Sequence, residues 1–242
     1  MKLKLIGAIA ITACLGRSQQ PAFDVVSVKP SRTIRPLYYK SASKRFMAAN
    51  MTPKQLMALG WGIRNFQISG GDGWFSSDNF DIEATTSEPA TWGQMKLMFR
   101  SLLADRFKLI VHQQVREAPV YTLVVAKGGI RMKLSPDQTP WTGDHPNEPG
   151  TTGANMDPRP NSLTGDSVPL AMFINYLTGE VDRTVINKTG STARYAIDLR
   201  FDQEAGPSIF TAIQEQLGLK LESGTGPVEM FIIDQVERPS AN

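Results

Sequence analysis

The sequence predicts an α+β fold made of two divergent β-α-β-β-α-β-β-like repeats packed together. Three observations predict it: an ordered series of motifs that occurs twice, helix and strand periods that intermix across short loops, and a Pro/Gly-rich stretch between the two series. The first series runs Met51-Thr-Pro-Lys-Gln-Leu-Met, Phe66-Gln-Ile-Ser-Gly-Gly, Phe80-Asp-Ile-Glu, Met95 to Leu103, Phe107-Lys-Leu and Val120 to Val125. The second runs Val168-Pro-Leu-Ala-Met-Phe, Val185-Ile-Asn-Lys-Thr-Gly, Tyr195-Ala-Ile-Asp, Ile209 to Leu217, Leu219-Lys-Leu and Val228 to Ile233. Identity between them is low, but apolar pattern, turn glycines and element order agree. Each half is only roughly 75 to 90 residues, a size that barely supports its own core, so the halves are expected to pack together or share a sheet.

The elements follow in order. Phe23-Asp-Val-Val-Ser-Val-Lys is a Val-rich strand ended by Pro30, and a basic loop leads to a short strand over Phe46 to Met51. Thr52, Pro53 and Gln55 start a helix: a hydroxyl cap, proline at the first helical position and glutamine closing a capping box. Leu56, Met57 and Leu59 supply its buried side, and Gly60 and Gly62 stop it. Strands are expected at Phe66–Ser69 and Phe80–Thr85, joined by the turn Ser69-Gly-Gly-Asp-Gly. Thr91 caps a helix whose Met95, Met98, Phe99, Leu102 and Leu103 recur with helical spacing. Strands over about Phe107–Val115 and Val120–Ala126, with a turn at Pro119 between them, close the unit.

The second unit repeats the order. A helix carries Leu170, Phe173, Ile174 and Leu177, and strands follow at Thr184–Asn187 and Tyr195–Phe201. A helix led by Pro207 and Ser208 ends at Gly218, and strands at Leu219–Ser223 and Glu229–Val236 complete the chain. The expected organisation is a signal peptide over residues 1–20, a first unit with its N-terminal strand over 21–134, a linker over 135–162, and a second unit over 163–242.

Composition is that of a globular chain: 242 residues, 41% hydrophobic and 20% charged, with a net charge of +3. That balance singles out no partner. Between Asp24 and Asp72, however, there is no acidic residue, while Lys29, Arg32, Arg35, Lys40, Lys44, Arg45, Lys54 and Arg64 all fall there. Such a run reads either as a patch for anionic headgroups, cell-wall polymers or nucleic acid, or as a solvated basic loop. The second reading is favoured, because cations interleaved with Pro30, Pro36, Tyr38 and Tyr39 form no regular face.

Export is the functional statement the residues support best. Met1-Lys-Leu-Lys followed by Leu5-Ile-Gly-Ala-Ile-Ala-Ile-Thr-Ala has the charged start and short apolar run of a signal peptide. That run is too short to span a bilayer. The single cysteine, Cys14, directly follows Ile11-Thr12-Ala13, as in the lipobox of a bacterial lipoprotein, where the cysteine becomes the acylated N-terminus. An ordinary signal peptide cleaved near residues 16 to 20 would instead discard Cys14. Lipidation is favoured because the apolar run is short, and because a lone cysteine cannot form an internal disulfide in an oxidising compartment.

The catalytic vocabulary is thin. HExxH, GxSxG, a Walker loop and CxxC are all missing, and one cysteine makes no thiolate metal site. His112 falls in a strand and His145 in the linker, neither with a partner at ligand spacing. Gly70-Gly71-Asp72-Gly73 would line an anion site only if a helix followed directly; Trp74 and a strand are expected instead. Three strings match penicillin-recognising enzymes in order: Ser41-Ala-Ser-Lys44 for SxxK, Ser77-Asp-Asn79 for SDN and Lys188-Thr-Gly190 for KTG. They read as fortuitous. SxxK fixes two residues only and here lies in a basic loop, and the other two occupy turns whose counterparts in the other half, Thr192-Ala-Arg194 and Ser69-Gly-Gly71, lack the chemistry. The chain is also short for that fold.

Phe23-Asp-Val-Val-Ser-Val-Lys-Pro-Ser, Gln67-Ile-Ser-Gly-Gly-Asp-Gly-Trp, Phe80-Asp-Ile-Glu-Ala, Ser101-Leu-Leu-Ala-Asp-Arg-Phe-Lys-Leu, Asn187-Lys-Thr-Gly and Gly226-Pro-Val-Glu together carry a resemblance. Over roughly residues 22 to 240 the chain resembles a family of uncharacterised exported proteins, abundant in soil acidobacteria and defined as a domain of unknown function. In that family the domain is sometimes attached behind antirepressor metallopeptidases of the β-lactam-sensor type. The resemblance implies an extracytoplasmic sensing or binding role and transfers no catalytic residue. The order of elements is also similar to the periplasmic modules of secretins and TonB-dependent receptors, a likeness of topology alone.

The expectation is therefore a non-enzymatic binding or interaction module of the bacterial cell envelope, periplasmic or held by a lipid anchor at Cys14. Its partner would be a protein or an envelope component, not nucleic acid, with no cofactor, metal or catalytic residue assigned. Exposed strand edges could accept a partner strand. The alternative is a hydrolase with a site assembled between the repeats from His112 or the carboxylates Asp137, Asp144 and Glu148.

Overall fold

The structure is a computed structural model that describes residues 20–32, 36–140, 156–202 and 206–239. Cys14 and the apolar run before it, and likewise Asp144, His145 and Glu148, lie outside the described residues.

The first half opens with strands β1 (Val25–Pro30), β2 (Tyr38–Ala42) and β3 (Arg45–Met51). Helix α1 (Pro53–Trp61) starts as the sequence specifies: the Thr52 hydroxyl accepts from the Gln55 amide at 3.2 Å, and Gln55 Oε1 accepts from the Thr52 amide at 2.9 Å. It stops at Gly62, whose φ of 67° is the left-handed conformation that ends helices. Strand β4 (Ile68–Gly70), one helical turn α2 (Trp74–Ser77) and β5 (Phe80–Thr85) follow. Helix α3 (Trp92–Phe107) has the same reciprocal cap at Thr91 and Gln94, and it buries Met95, Met98, Phe99, Leu102 and Leu103. Strand β6 (Ile110–Val125) ends the half.

The second half contains β7 (Lys133–Leu134), β8 (Asp157–Arg159) and β9 (Ser162–Pro169), then α4 (Leu170–Glu180) and β10 (Val185–Asn187). Strand β11 (Arg194–Arg200), α5 (Ile209–Leu217) and β12 (Leu219–Gln235) complete it. Ser208 caps α5 through the Thr211 amide at 3.3 Å, and Gly218 ends it at φ 68°. Only glycine fits at 218, because a Cβ there would stand 2.1 Å from the Gly129 carbonyl oxygen.

The chain is α+β. One four-stranded sheet, β1-β5-β3-β2, lies with α1 and α3, and another, β7-β11-β9-β8, lies with α4 and α5. The third, β10-β6-β12-β4, joins the halves. Its two long strands run antiparallel from Leu219 opposite Val125 to Gln235 opposite Ile110. The outer strands cross over: β4 of the first half lies parallel to β12 of the second, and β10 of the second lies parallel to β6 of the first. The cores interlock accordingly. Phe231 and Ile233 of β12 complete the cluster around Phe46, Phe99, Leu103 and Phe107, and Leu123 of β6 completes the one around Phe173, Leu177, Leu199 and Ile213. The expectation of a shared sheet holds in this form.

Several sequence expectations differ from the structure. No turn falls at Pro119: β6 is one strand of 16 residues, and β12 is likewise one strand of 17 through Gly224, Gly226 and Pro227. Proline is tolerated at 119 and 227 because each stands on a stretch of long strand where the short outer strand is not paired, so one backbone edge needs no donor. The Gly70–Gly73 turn is followed by the helical turn α2, not a strand. The Pro/Gly-rich stretch over 135–162 forms structure at both described ends. On one side is β8; on the other, residues 135–139 are pinned to β11 through Gln138, which exchanges hydrogen bonds with the Arg194 backbone at 2.9 and 3.0 Å.

Candidate functional site

The interlocked sheets leave a cleft of about 750 Å³ between the halves. One wall is α1 and the segment after it, with Ala58, Trp61 and Arg64. A second is the face of α3 that carries Trp92, Lys96 and Arg100, spaced four apart and so stacked along one side of the helix. The far wall comes from the second half, with Asn175 and Thr178 of α4 and Thr184 before β10, and Phe231 of β12 also lines it. Leu37 and Tyr39, at and beside the edge strand β2, stand at the exposed rim.

The polar groups here are held in place. Arg100 Nε donates to the Gly60 carbonyl at 2.8 Å, and its guanidinium lies 5.1 Å over the Trp61 ring, whose own neighbour is Phe231 at 6.4 Å. Burial lowers the Arg100 pKa from its ordinary value, and no described carboxylate pairs with it. Lys96 is 8% exposed in the wall. Arg64 reaches across to α4: its Nη2 donates to the Asn175 carbonyl at 2.6 Å, and it packs so closely over Gly179 that a Cβ there would come within 2.8 Å of Nη2. Desolvation lowers the Arg64 pKa, and Glu180 works in the opposite direction. The Thr184 hydroxyl, buried in the wall, has no hydrogen-bond partner among the described residues. Three cations thus line the cleft beside one carboxylate, Glu229.

Of the residues singled out from the sequence, Arg64 of the basic run lines the cleft, and the candidate catalytic residues among the described ones lie elsewhere. His112 Nδ1 stands 2.9 Å from both carboxylate oxygens of Asp234, on the solvent side of the ribbon formed by β6 and β12. The pair is half exposed, with no hydroxyl bonded to the ring among the described residues, and it is not part of the cleft walls. Asp137 is partly exposed, and the Thr139 hydroxyl and amide, with Arg194 behind them, hold its pKa below the ordinary carboxylate value. Ser41 and Lys44 stand on the β2–β3 hairpin, Ser77 to Asn79 at the end of α2, and Lys188 to Gly190 in the turn after β10. Among the described residues no group of three or more His, Cys, Asp or Glu is placed to hold a metal. No described helix is long and apolar enough to cross a membrane.

Sequence reasoning missed the cleft residues Trp61, Trp92, Lys96, Arg100 and Asn175. A signal for part of them existed in the four-residue spacing of Trp92, Lys96 and Arg100 beside the apolar stripe of α3. Nothing local announces Asn175 or Thr184, which the second half brings in. Arg194 was also missed. It is 2% exposed, donates from Nη1 to the Thr139 carbonyl at 2.9 Å and from Nε to the Ser167 hydroxyl at 3.0 Å, and so clamps residues 135–139 to the sheet.

A family model described as a protein of unknown function (DUF3738) matches residues 54–236. The chain belongs to that family. No curated protein and no solved structure matches it. The matched span runs from the first turn of α1 to the end of β12, so it takes in the second half and the first half from α1 onward, with the cleft residues on α1, α3, α4 and β12.

Proposed function

We propose that this protein is a binding module of the bacterial cell envelope, exported and tethered by lipid at Cys14, and that its ligand sits in the cleft between the halves. The observation that carries the binding reading is the lining itself. Aromatic faces and fixed cations converge in one concavity, the composition of a site that holds a small ligand. The His112 and Asp234 pair stands on the outer surface instead. The sequence supports export through the charged start, the short apolar run and the Ile-Thr-Ala-Cys string, and the resemblance to exported acidobacterial proteins agrees with it.

Native mass spectrometry of the protein recovered from its own envelope tests the reading. The expected result is a non-covalent adduct carried by the wild type and lost in Asn175→Trp, which fills the cleft from an exposed helix position. Equal spectra for the two proteins, both without adduct, would contradict it.

A further inference from the structure

We infer that the cleft takes an organic anion carried on a flat ring, the ring lying against Trp61 and Trp92 and the acid group beside Arg100 and Lys96. This deepens the binding reading and rests on it. Three observations support the chemistry. The first is charge: three cations, Arg64, Lys96 and Arg100, line the cleft with one lining carboxylate, Glu229, and Glu180 acts on Arg64 from outside the lining, so the lining itself carries more positive than negative charge. The second is the state of Arg100. It is partly withdrawn from water without gaining a described carboxylate, and its Gly60 contact occupies only Nε. An anion that paired with its two Nη groups would be held by the planar fork that suits carboxylate and phosphate. The third is shape: Trp61, fixed between Arg100 and Phe231, and Trp92, edge-on to Phe99 at 6.0 Å, are rings held by their neighbours. Rigid aromatic faces of this kind receive a ring with little loss of conformational freedom. The partnerless Thr184 hydroxyl on the far wall adds a neutral donor and acceptor for the remainder of the ligand.

The test uses the ¹⁵N-labelled full chain in detergent and three probes of one shape: 2-naphthoate, 2-naphthyl phosphate and the uncharged 2-naphthamide. The readout is the indole N–H signals of the 4 tryptophans, with Trp61 and Trp92 assigned through their phenylalanine variants. Trp74, whose indole donates to Asp72 at 3.2 Å away from the cleft, is the internal control. Both anions should shift Trp61 and Trp92 but not Trp74, and bind about tenfold or more tighter than the amide, as expected for a charge-assisted hydrogen bond. Arg100→Gln should bring the anions down to the level of the amide, and Arg64→Gln should weaken them in the same direction should Arg100→Gln fail to fold. The acid-versus-amide comparison itself needs no variant. If the amide binds as tightly as the anions at the same two indoles, the anion inference falls and the binding reading stands. If no probe moves either indole, the inference falls; the binding reading falls with it only if the envelope-recovered protein also carries no adduct.

Discussion

Leu123→Ala puts the interlocking of the two halves to a quantitative test. By sequence Leu123 belongs to the first half, in β6, yet its side chain is fully buried in the core of the second half. Its backbone sits between β10 and β12, opposite Asn187 and Leu221, and its carbonyl accepts from the Lys188 amide at 2.9 Å. The substitution leaves those backbone bonds and removes three carbons. At about 0.8 kcal/mol per buried methylene the transfer loss alone is about 2.4 kcal/mol. The residual cavity in a packed interior raises the total to about 3 kcal/mol, within the range of about 2 to 5 seen for such truncations. Urea unfolding measures the sum, and amide hydrogen exchange read by mass spectrometry locates it. Protection should fall most in α4, β10 and α5, more than 40 residues along the chain in each case. Loss confined to α3 and β5, or a total under about 1 kcal/mol, would show that each half keeps its own core.

Three further outcomes follow from the structure and the sequence. Arg194→Met should cost about 3 kcal/mol, because it strips the Thr139 carbonyl and Ser167 of their buried donor, and limited proteolysis should then cut within 135–140. Acid should destabilise the fold: the Ser87 amide and hydroxyl hold the Asp24 pKa below its ordinary value, and Thr139 does the same for Asp137. Folded pKa values below the unfolded ones give stability that is complete above the unfolded carboxylate value of about 3.9 and is lost as pH falls through the folded values. The urea midpoint should therefore drop below about pH 4, and drop less in the Asp24→Asn, Asp137→Asn double variant. Cys14→Ser should release the protein from membranes or leave it unprocessed, since the acyl chains that make an anchor stable have no other cysteine to occupy. Intact mass of the membrane-recovered protein decides, and a mature N-terminus beyond residue 14 with no acyl mass would rule the anchor out.

What could be read from the sequence was local. The capping boxes at Thr52 and Thr91, the apolar stripe of α3 and the span of β5 are set by contacts within a few residues, and they stand where the pattern put them. The strands that were missed or broken are set by partners far along the chain. Pro119 looks like a turn until β12 supplies the ladder that carries β6 through it. Strands β2 and β9 lack the alternation of apolar and polar residues that marks a half-buried strand in a sequence, and each is held by a neighbour, β3 or β11. The duplication remains a proposal with its own check. From β3 and from β9 onward, and apart from the short helical turns that only the first half carries, both halves run strand, helix, strand, strand, helix, strand, so superposing residues 46–126 on 163–236 should bring both helices and at least three strands into register. A different strand order within the halves would refute it. The cleft was illegible for the same reason as the long strands: its walls are contributed by residues as far apart as Trp61 and Thr184, and only the crossed pairing of β4 and β10 brings them to one place.

The most direct test of the central claim, that this protein binds its ligand in the cleft, is hydrogen exchange on protein taken from its own envelope, before and after it is stripped by denaturation and refolding. The account predicts faster exchange after stripping in the cleft segments around residues 58–67, 92–100 and 175–185, with β8, β11 and the solvent side of the ribbon unchanged. Identical exchange in the cleft segments, or a change centred on His112 and Asp234, would contradict it.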